Sequence, residues 1–167
     1  RTIILDGFSK TYAMTGWRVG YALGPKELIS QAAVVQSHAT SNATSFAMVG
    51  ALAALRSAEP DVERMLAEYR ARREMLVPLL NAVPGFACRP PAGAFYAFPN
   101  VSRVFCGSIS DSIAFAEHLL DEASVAVVPG AAFGDDQSIR ISFACSRQAL
   151  SQGLERIRAA VNKLQAQ

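Results

Sequence analysis

One stretch limits what this chain can fold into more than any other. From Pro60 to Val83 the apolar residues Val62, Met65, Leu66, Tyr69, Leu76, Leu79, Leu80 and Val83 recur at helical spacing, while Arg70, Arg72 and Arg73 fall largely off that stripe. Pro60 suits the first turn, where its missing N–H has no intrahelical partner to lose. Pro84-Gly85 closes the run. The spacing predicts one long amphipathic helix, and about 20 helical residues reach ~30 Å. Such a helix can join two layers or two domains, and each side of it then has to be accounted for separately.

On the N-terminal side, "TIILD" is β-branched and ends at Asp6-Gly7, which predicts a buried strand running into a turn. "WRVGYALG" predicts a second short strand, closed by Gly24-Pro25. Residues 25–37 and 43–56 read as helices separated by the polar "SHATSN". On the C-terminal side, "GFACRPPAGAFYAFPN" gives two short strand-like pieces broken at Pro90-Pro91. Residues 110–122 read as a helix with Ser110 as the candidate N-cap, and "SVAVVPG" and "SIRISFA" as strands. A last helix starts behind Ser146, with Leu150, Leu154, Ile157, Val161 and Leu164 as its apolar stripe. Alternating strands and helices without an internal repeat predict an α/β fold. The natural division falls near residues 56–60, with an end-piece of one domain before it and a compact second domain after it.

Bulk properties narrow the function. The 167 residues are 51% hydrophobic and 18% charged, enough apolar material for a buried core. The net charge is +2, and the basic residues are spread along the chain, which argues against a nucleic-acid partner. Cys88, Cys106 and Cys145 form no CxxC pair and no cysteine–histidine cluster, so neither a disulfide framework nor a metal site is expected. With no apolar run of membrane length and no signal-type N-terminus, the expectation is a cytoplasmic protein with no membrane partner. The opening "RTIILDG", already strand-like and without an initiator methionine, reads as part of a longer polypeptide.

Three cations stand out. Lys10 follows a strand and its turn, where α/β folds place ligands, and has Phe8, Tyr12, Ala13, Met14 and Trp17 as neighbours. A surface lysine is the commonest reading of any one lysine. Held in a partly apolar site, it would lose some preference for the ammonium form, and the neutral amine can attack a carbonyl. A phosphate-cradling P-loop is excluded, because Ser9 precedes the lysine and Ile4 occupies the position of the earlier glycine. An SxxK nucleophile is excluded by Gly7. Arg18, between Gly16 and Gly20 and beside Trp17, is either a solvated arginine or a planar fork for an anion such as phosphate. The glycines around these cations are expected to let the backbone turn between them. Arg140 sits between Ile139 and Ile141, so alternation puts it on the opposite sheet face. It is either the polar face of an edge strand or a bidentate holder of a carboxylate.

"SKTYAMTGWRVGY" closely resembles the lysine signature of class I, aspartate-aminotransferase-like, pyridoxal-phosphate-dependent aminotransferases of fold type I. "PPAGAFY", "VAVVPGAAFG" and "IRISFA" resemble later blocks of that family in the expected order, so the resemblance spans nearly the whole chain. It implies a C-terminal portion of the enzyme. Residues 1–58 would end the large cofactor-binding domain, and residues 59–167 would form the interdomain helix and the small α/β domain. It makes Lys10 the Schiff-base lysine and general base, Arg18 the phosphate ligand and Arg140 the holder of the substrate α-carboxylate. Phe95 and Tyr96 fall in a segment that approaches the substrate, although core packing accounts for either equally well. Family members often carry a phosphate-binding serine where Gly7 stands, so that contact is lost or passes to Ser9 or a backbone N–H. "SHATSN" matches a loop near the neighbouring subunit's site, which implies a homodimer, an ordinary solvated loop being the alternative. The family's partners for the pyridine nitrogen and the phenolic oxygen lie upstream of Lys10, which leaves the chain alone inactive. The implied reaction is transamination between an amino acid and a 2-oxo acid. A carbon–sulfur lyase or synthase of the same fold, or the non-catalytic effector domain of a regulator, are alternatives. Product analysis separates the first pair and the full-length N-terminus identifies the last.

Overall fold

The structure, a computed structural model, describes residues 2–166. Mixed helices and strands form two compact units, Arg1–Leu66 and Ala67–Gln167.

In the first unit, β1 (Ile4–Gly7) pairs antiparallel with β2 (Gly20–Leu23), in a register that sets Ile4 against Leu23 and Gly7 against Gly20. The backbones approach so closely that a Cβ on Gly20 would lie 2.9 Å from the Asp6 carbonyl oxygen. The expectation of a buried first strand is not met, because Ile4 is 54% and Leu5 78% exposed. Only β2 pairs with β1, and no layer of the described residues covers the ribbon. The second strand is also shorter than "WRVGYALG": Trp17 belongs to a 3-10 turn, Thr15–Trp17, ahead of β2. Helix α1 (Lys26–Ala39) buries no residue and continues into "SHATSN" as far as Ala39. Helix α2 (Ser45–Ser57) buries Ala47 and Ala51. A small core joins Phe8, Met14 and Ala51. Trp17 packs so close to α2 that a Cβ on Gly50 would meet its ring at 2.6 Å.

Helix α3 (Glu59–Asn81) is the long helix that the spacing predicts, with Pro60 in its first turn. Pro78 stands inside its last turns, where a proline has no N–H for the carbonyl four residues back. The buried row differs from the predicted stripe: Leu76, Val77 and Leu80 are buried and Leu79 is 41% exposed. Tyr69, Arg72, Leu76 and Leu80 follow three- and four-residue steps along one face, so Arg72 lies on the stripe and its side chain is only 19% exposed.

The second unit holds a three-stranded antiparallel sheet in the order β3 (Tyr96–Ala97), β5 (Ile139–Ser142), β4 (Val128–Pro129). The "GFACRPPAGAFYAFPN" segment contributes β3 and two isolated bridges, Ala87 to Asn100 and Asn100 to Ser138. Helix α4 (Ser112–Ala123) is capped by Asp111, whose carboxylate accepts from the N–H groups of Ile113 and Ala114. Ser110, the expected cap, lies one residue further out and its hydroxyl donates to Asp111 at 3.3 Å. Helix α5 (Arg147–Gln165) starts behind Ser146, which accepts from Ala149 N–H at 3.1 Å, and all five predicted stripe residues are buried. These helices and α3 pack Leu76, Phe115, Leu119, Ile139, Phe143, Ile157 and Val161 into one core. Each such side chain contributes about 1.5–3 kcal/mol by leaving water.

Candidate functional site

Lys10 and Arg18 both lie in the connection between β1 and β2, which is a succession of turns rather than a short hairpin loop. The Phe8 carbonyl accepts from Tyr12 N–H and Met14 N–H, each at 3.3 Å, and the Lys10 carbonyl accepts from Ala13 N–H at 3.2 Å. The Thr15 hydroxyl ties the loop across itself by donating to the Ser9 carbonyl at 2.9 Å. Phe8 and Met14 turn into the small core while Lys10 is exposed, so the aromatic neighbours that suggested a partly apolar site do not enclose it. The Tyr21 hydroxyl donates to Asp6 at 3.3 Å, and the Asp6 charge pushes the phenol pKa up.

The backbone bends at places the sequence does not mark. Ala13 has φ 54° and Arg18 φ 52°, whereas Gly7, Gly16 and Gly20 are not among the residues of positive φ. A left-handed arginine costs on the order of 1 kcal/mol, so the glycines are not what turns the chain at Arg18. The left-handed turn brings Arg18 Nη1 to the Thr15 carbonyl, to which it donates at 2.9 Å. The guanidinium is thereby fixed along one edge while its other donors remain in the same plane.

Arg140 lies in the second unit on β5. Its strand is the centre of the sheet, which removes the edge-strand explanation of its polarity. Ile139 and Ile141 are buried on one face and Arg140 is half-buried on the other. Its guanidinium carbon lies 4.4 Å from the centroid of Tyr96 and 4.5 Å from that of Phe133. Among the described residues no carboxylate forms an ion pair with it. Phe95, adjacent to Tyr96, packs against the core and meets Tyr69 at 6.0 Å between ring centroids. Phe133 belongs to no candidate set drawn from the sequence, although the "VVPGAAFG" block that contains it was singled out.

The loop bearing Phe133 is firmly held. It is a 3-10 turn, Gly130–Phe133, followed by Gly134 at φ 82°. The buried Ser112 hydroxyl donates to Asp136 at 2.6 Å and accepts from Ala131 N–H at 3.1 Å. Those Ser112 contacts hold the Asp136 carboxyl below its ordinary pKa. The Ser138 hydroxyl donates to Asp135 at 2.7 Å, and Gly130 N–H donates to the Ser138 carbonyl at 2.8 Å.

The sequence and the fold have counterparts among known proteins. The family model described as aminotransferase class I and II matches residues 1–157. The aspartate aminotransferase of Rhizobium meliloti (strain 1021) is 44% identical over 171 residues, covering 98% of this chain and 42% of that protein. That of Bacillus subtilis (strain 168) is 41% identical over 165 residues, covering 98% and 42%. The crystal structure of the Rhizobium meliloti aspartate aminotransferase superposes with a TM-score of 0.92 at 43% identity, covering 97% of this chain and 42% of that one. An aromatic aminotransferase from Pyrococcus horikoshii gives a TM-score of 0.89 at 36% identity, covering 97% and 43%. The chain therefore spans about 42% of the length of the curated relatives it matches.

Proposed function

Because the chain belongs to the class I and II aminotransferases, we propose that it carries the lysine-bearing and substrate-carboxylate-binding parts of a pyridoxal-phosphate-dependent transaminase. On this reading, residues 1–58 end a large cofactor-binding domain and residues 59–167 supply the interdomain helix and the small domain. The full-length protein works as a homodimer on an amino acid and a 2-oxo acid. The names of the relatives make aspartate the first amino donor to test.

The donor set fits the cofactor. An exposed amine at Lys10 is the group that holds an aldehyde carbon, and a planar guanidinium at Arg18, fixed by Thr15, is the group that grips a phosphate. Ser9 stands beside Lys10 as a second phosphate donor where Gly7 has no hydroxyl to offer. Bound pyridoxal phosphate supplies an electron sink for the electrons left on the substrate α-carbon. Arg140 takes the substrate α-carboxylate and so fixes the direction of the α-carbon proton. Lys10 Nζ, which would hold the cofactor's aldehyde carbon, would also take up that proton as general base.

The observation that carries the reading is Arg18 held in a left-handed conformation eight residues beyond Lys10 in the same β1–β2 connection, a strained backbone that brings a guanidinium to a specified direction. The test is borohydride reduction of the full-length protein loaded with cofactor, followed by peptide mass analysis. The peptide containing Lys10 gains the pyridoxyl mass, and Lys10→Ala gains none. Labelling of a different lysine in the wild type would overturn the assignment.

A further inference from the structure

The surroundings of Arg140 go beyond its role as a carboxylate ligand. A guanidinium has two faces and an edge. All five N–H donors lie in the plane and point outward from the edge, while the faces are flat and weakly hydrated. In this chain an aromatic ring stands against the guanidinium from each of two elements: Tyr96 from β3 at 4.4 Å and Phe133 from the turn after β4 at 4.5 Å. Two rings this close to the guanidinium carbon limit how its plane can turn and favour its N–H edge as the direction in which it binds, and no carboxylate of the described residues pairs with it. We infer that Phe133, together with Tyr96, is a positioning residue that fixes the plane of Arg140 and so makes the site selective for a planar carboxylate presented edge-on.

The two rings are themselves held in place. Phe133 is 49% exposed, so the core does not fix it. Its turn is tied down by Ala131 N–H on the buried Ser112 hydroxyl, by Gly130 N–H on Ser138, and by Gly134 N–H on the Ala131 carbonyl at 3.1 Å. The Phe98 ring meets Phe133 edge-on, with centroids 6.0 Å apart. Tyr96 is backed by Phe95, with centroids 4.5 Å apart, and its strand pairs with the strand of Arg140. A half-exposed phenylalanine on a turn this firmly tethered has an obvious effect only on Arg140 and Phe98. A leucine there would keep the apolar contact and lose the quadrupole that attracts the cation.

The inference rests on the carboxylate role of Arg140 proposed above, and the experiment separates the two. Propionate and propionamide are used as probes on the full-length protein, since they differ in charge, are nearly equal in shape and undergo no transamination. Wild type binds propionate in preference to propionamide. Phe133→Leu lowers propionate affinity about fivefold, the scale of a lost half-exposed cation–π contact, and leaves propionamide unchanged. Phe133→Tyr restores propionate binding to within about twofold, and Tyr96→Leu gives a loss similar to that of Phe133→Leu without touching the turn. Wild-type propionate binding in a folded Phe133→Leu protein, or an equal loss of both probes, overturns the positioning role. If Arg140→Ala also keeps the preference for propionate, the carboxylate assignment falls and the positioning role falls with it. If Arg140→Ala loses the preference while Phe133→Leu keeps it, only the positioning role fails.

Discussion

The guanidinium of Arg140 lies 4.4 Å from the centroid of the Tyr96 ring, on neighbouring strands of the same sheet. The pairing register sets Tyr96 opposite Ser142, and Arg140 lies two residues from Ser142 on the same face of β5, so the stack is diagonal. It gives the most direct route to testing the proposed function. Arg140→Ala removes a bidentate partner, and a charge-assisted interaction of this kind contributes a net of about 1.5–3 kcal/mol. The expected result is a loss of roughly tenfold to a hundredfold in the affinity of every α-amino acid tried, with cofactor binding retained. Titrations with a short panel of acidic, aromatic and aliphatic amino acids check it. A loss confined to one side-chain class would exclude the α-carboxylate role.

Glu68 supplies a pH prediction. Its carboxylate accepts from Arg147 at 2.6 Å and from Arg72 at 2.9 Å, and these bonds lower its pKa from 4.5 to about 2, the Arg147 bond contributing most. A depressed carboxylate stabilises the fold above its unfolded pKa, and the contribution is lost as pH falls through the folded one. The difference in melting temperature between wild type and Glu68→Gln should therefore be constant above about pH 5.5. It should shrink steadily between roughly pH 4.5 and 2. Salt should shrink it as well, because the site is exposed. Thermal unfolding followed by circular dichroism across that range is the measurement, and a difference that grows on acidification would contradict the ion-pair account.

Gly130 is predicted to be intolerant of any side chain. It is buried, and a Cβ would run into the carbonyl oxygens of Asp135 and Ser138. Its φ is not in the left-handed region, so the restriction is space rather than conformation. Gly130→Ala should cost about 2–3 kcal/mol, since overpacking against backbone relaxes poorly. Chemical denaturation reads this directly. Gly134→Ala, four residues on at φ 82° with open space around it, should cost less, about 1 kcal/mol of backbone strain.

Leu5 gives the opposite expectation. It is 78% exposed on β1, so Leu5→Lys should change the stability of this 167-residue chain by no more than about 0.5 kcal/mol. Denaturant midpoints of the two chains compare them. A drop of several kcal/mol would mean that β1 is covered in solution.

The readings that hold most closely are those that depend on neighbours within one helix. Helix α5 is the clearest case: the Ser146 cap and all five stripe residues are legible because a helix places residues three and four apart on one face. The lysine-to-arginine block is legible for a related reason, since family motifs are contiguous strings. The N-cap of α4 went to Asp111 rather than Ser110, because neighbouring polar residues can both cap and only the local geometry selects between them.

What the tertiary structure alone decided involves residues far apart in the chain. Hydrophobic content predicted a buried β1, but no segment of the described residues covers it, in a chain that spans about 42% of the length of its relatives. The alternation around Arg140 put it on the right face without revealing that β5 lies between β3 and β4. The turn at Arg18 is left-handed despite three nearby glycines, because a network of hydrogen bonds from Phe8 to Val19 over-determines it. Phe133 and Tyr96 are separated by 37 positions in sequence and meet around one guanidinium only when the strands and the tethered turn close together. Sequence by itself determined the periodic elements and the family, because both are written in short-range order. Tertiary structure decided burial, strand order and the approach of Tyr96 and Phe133 to Arg140, because each depends on chain segments that meet only after folding.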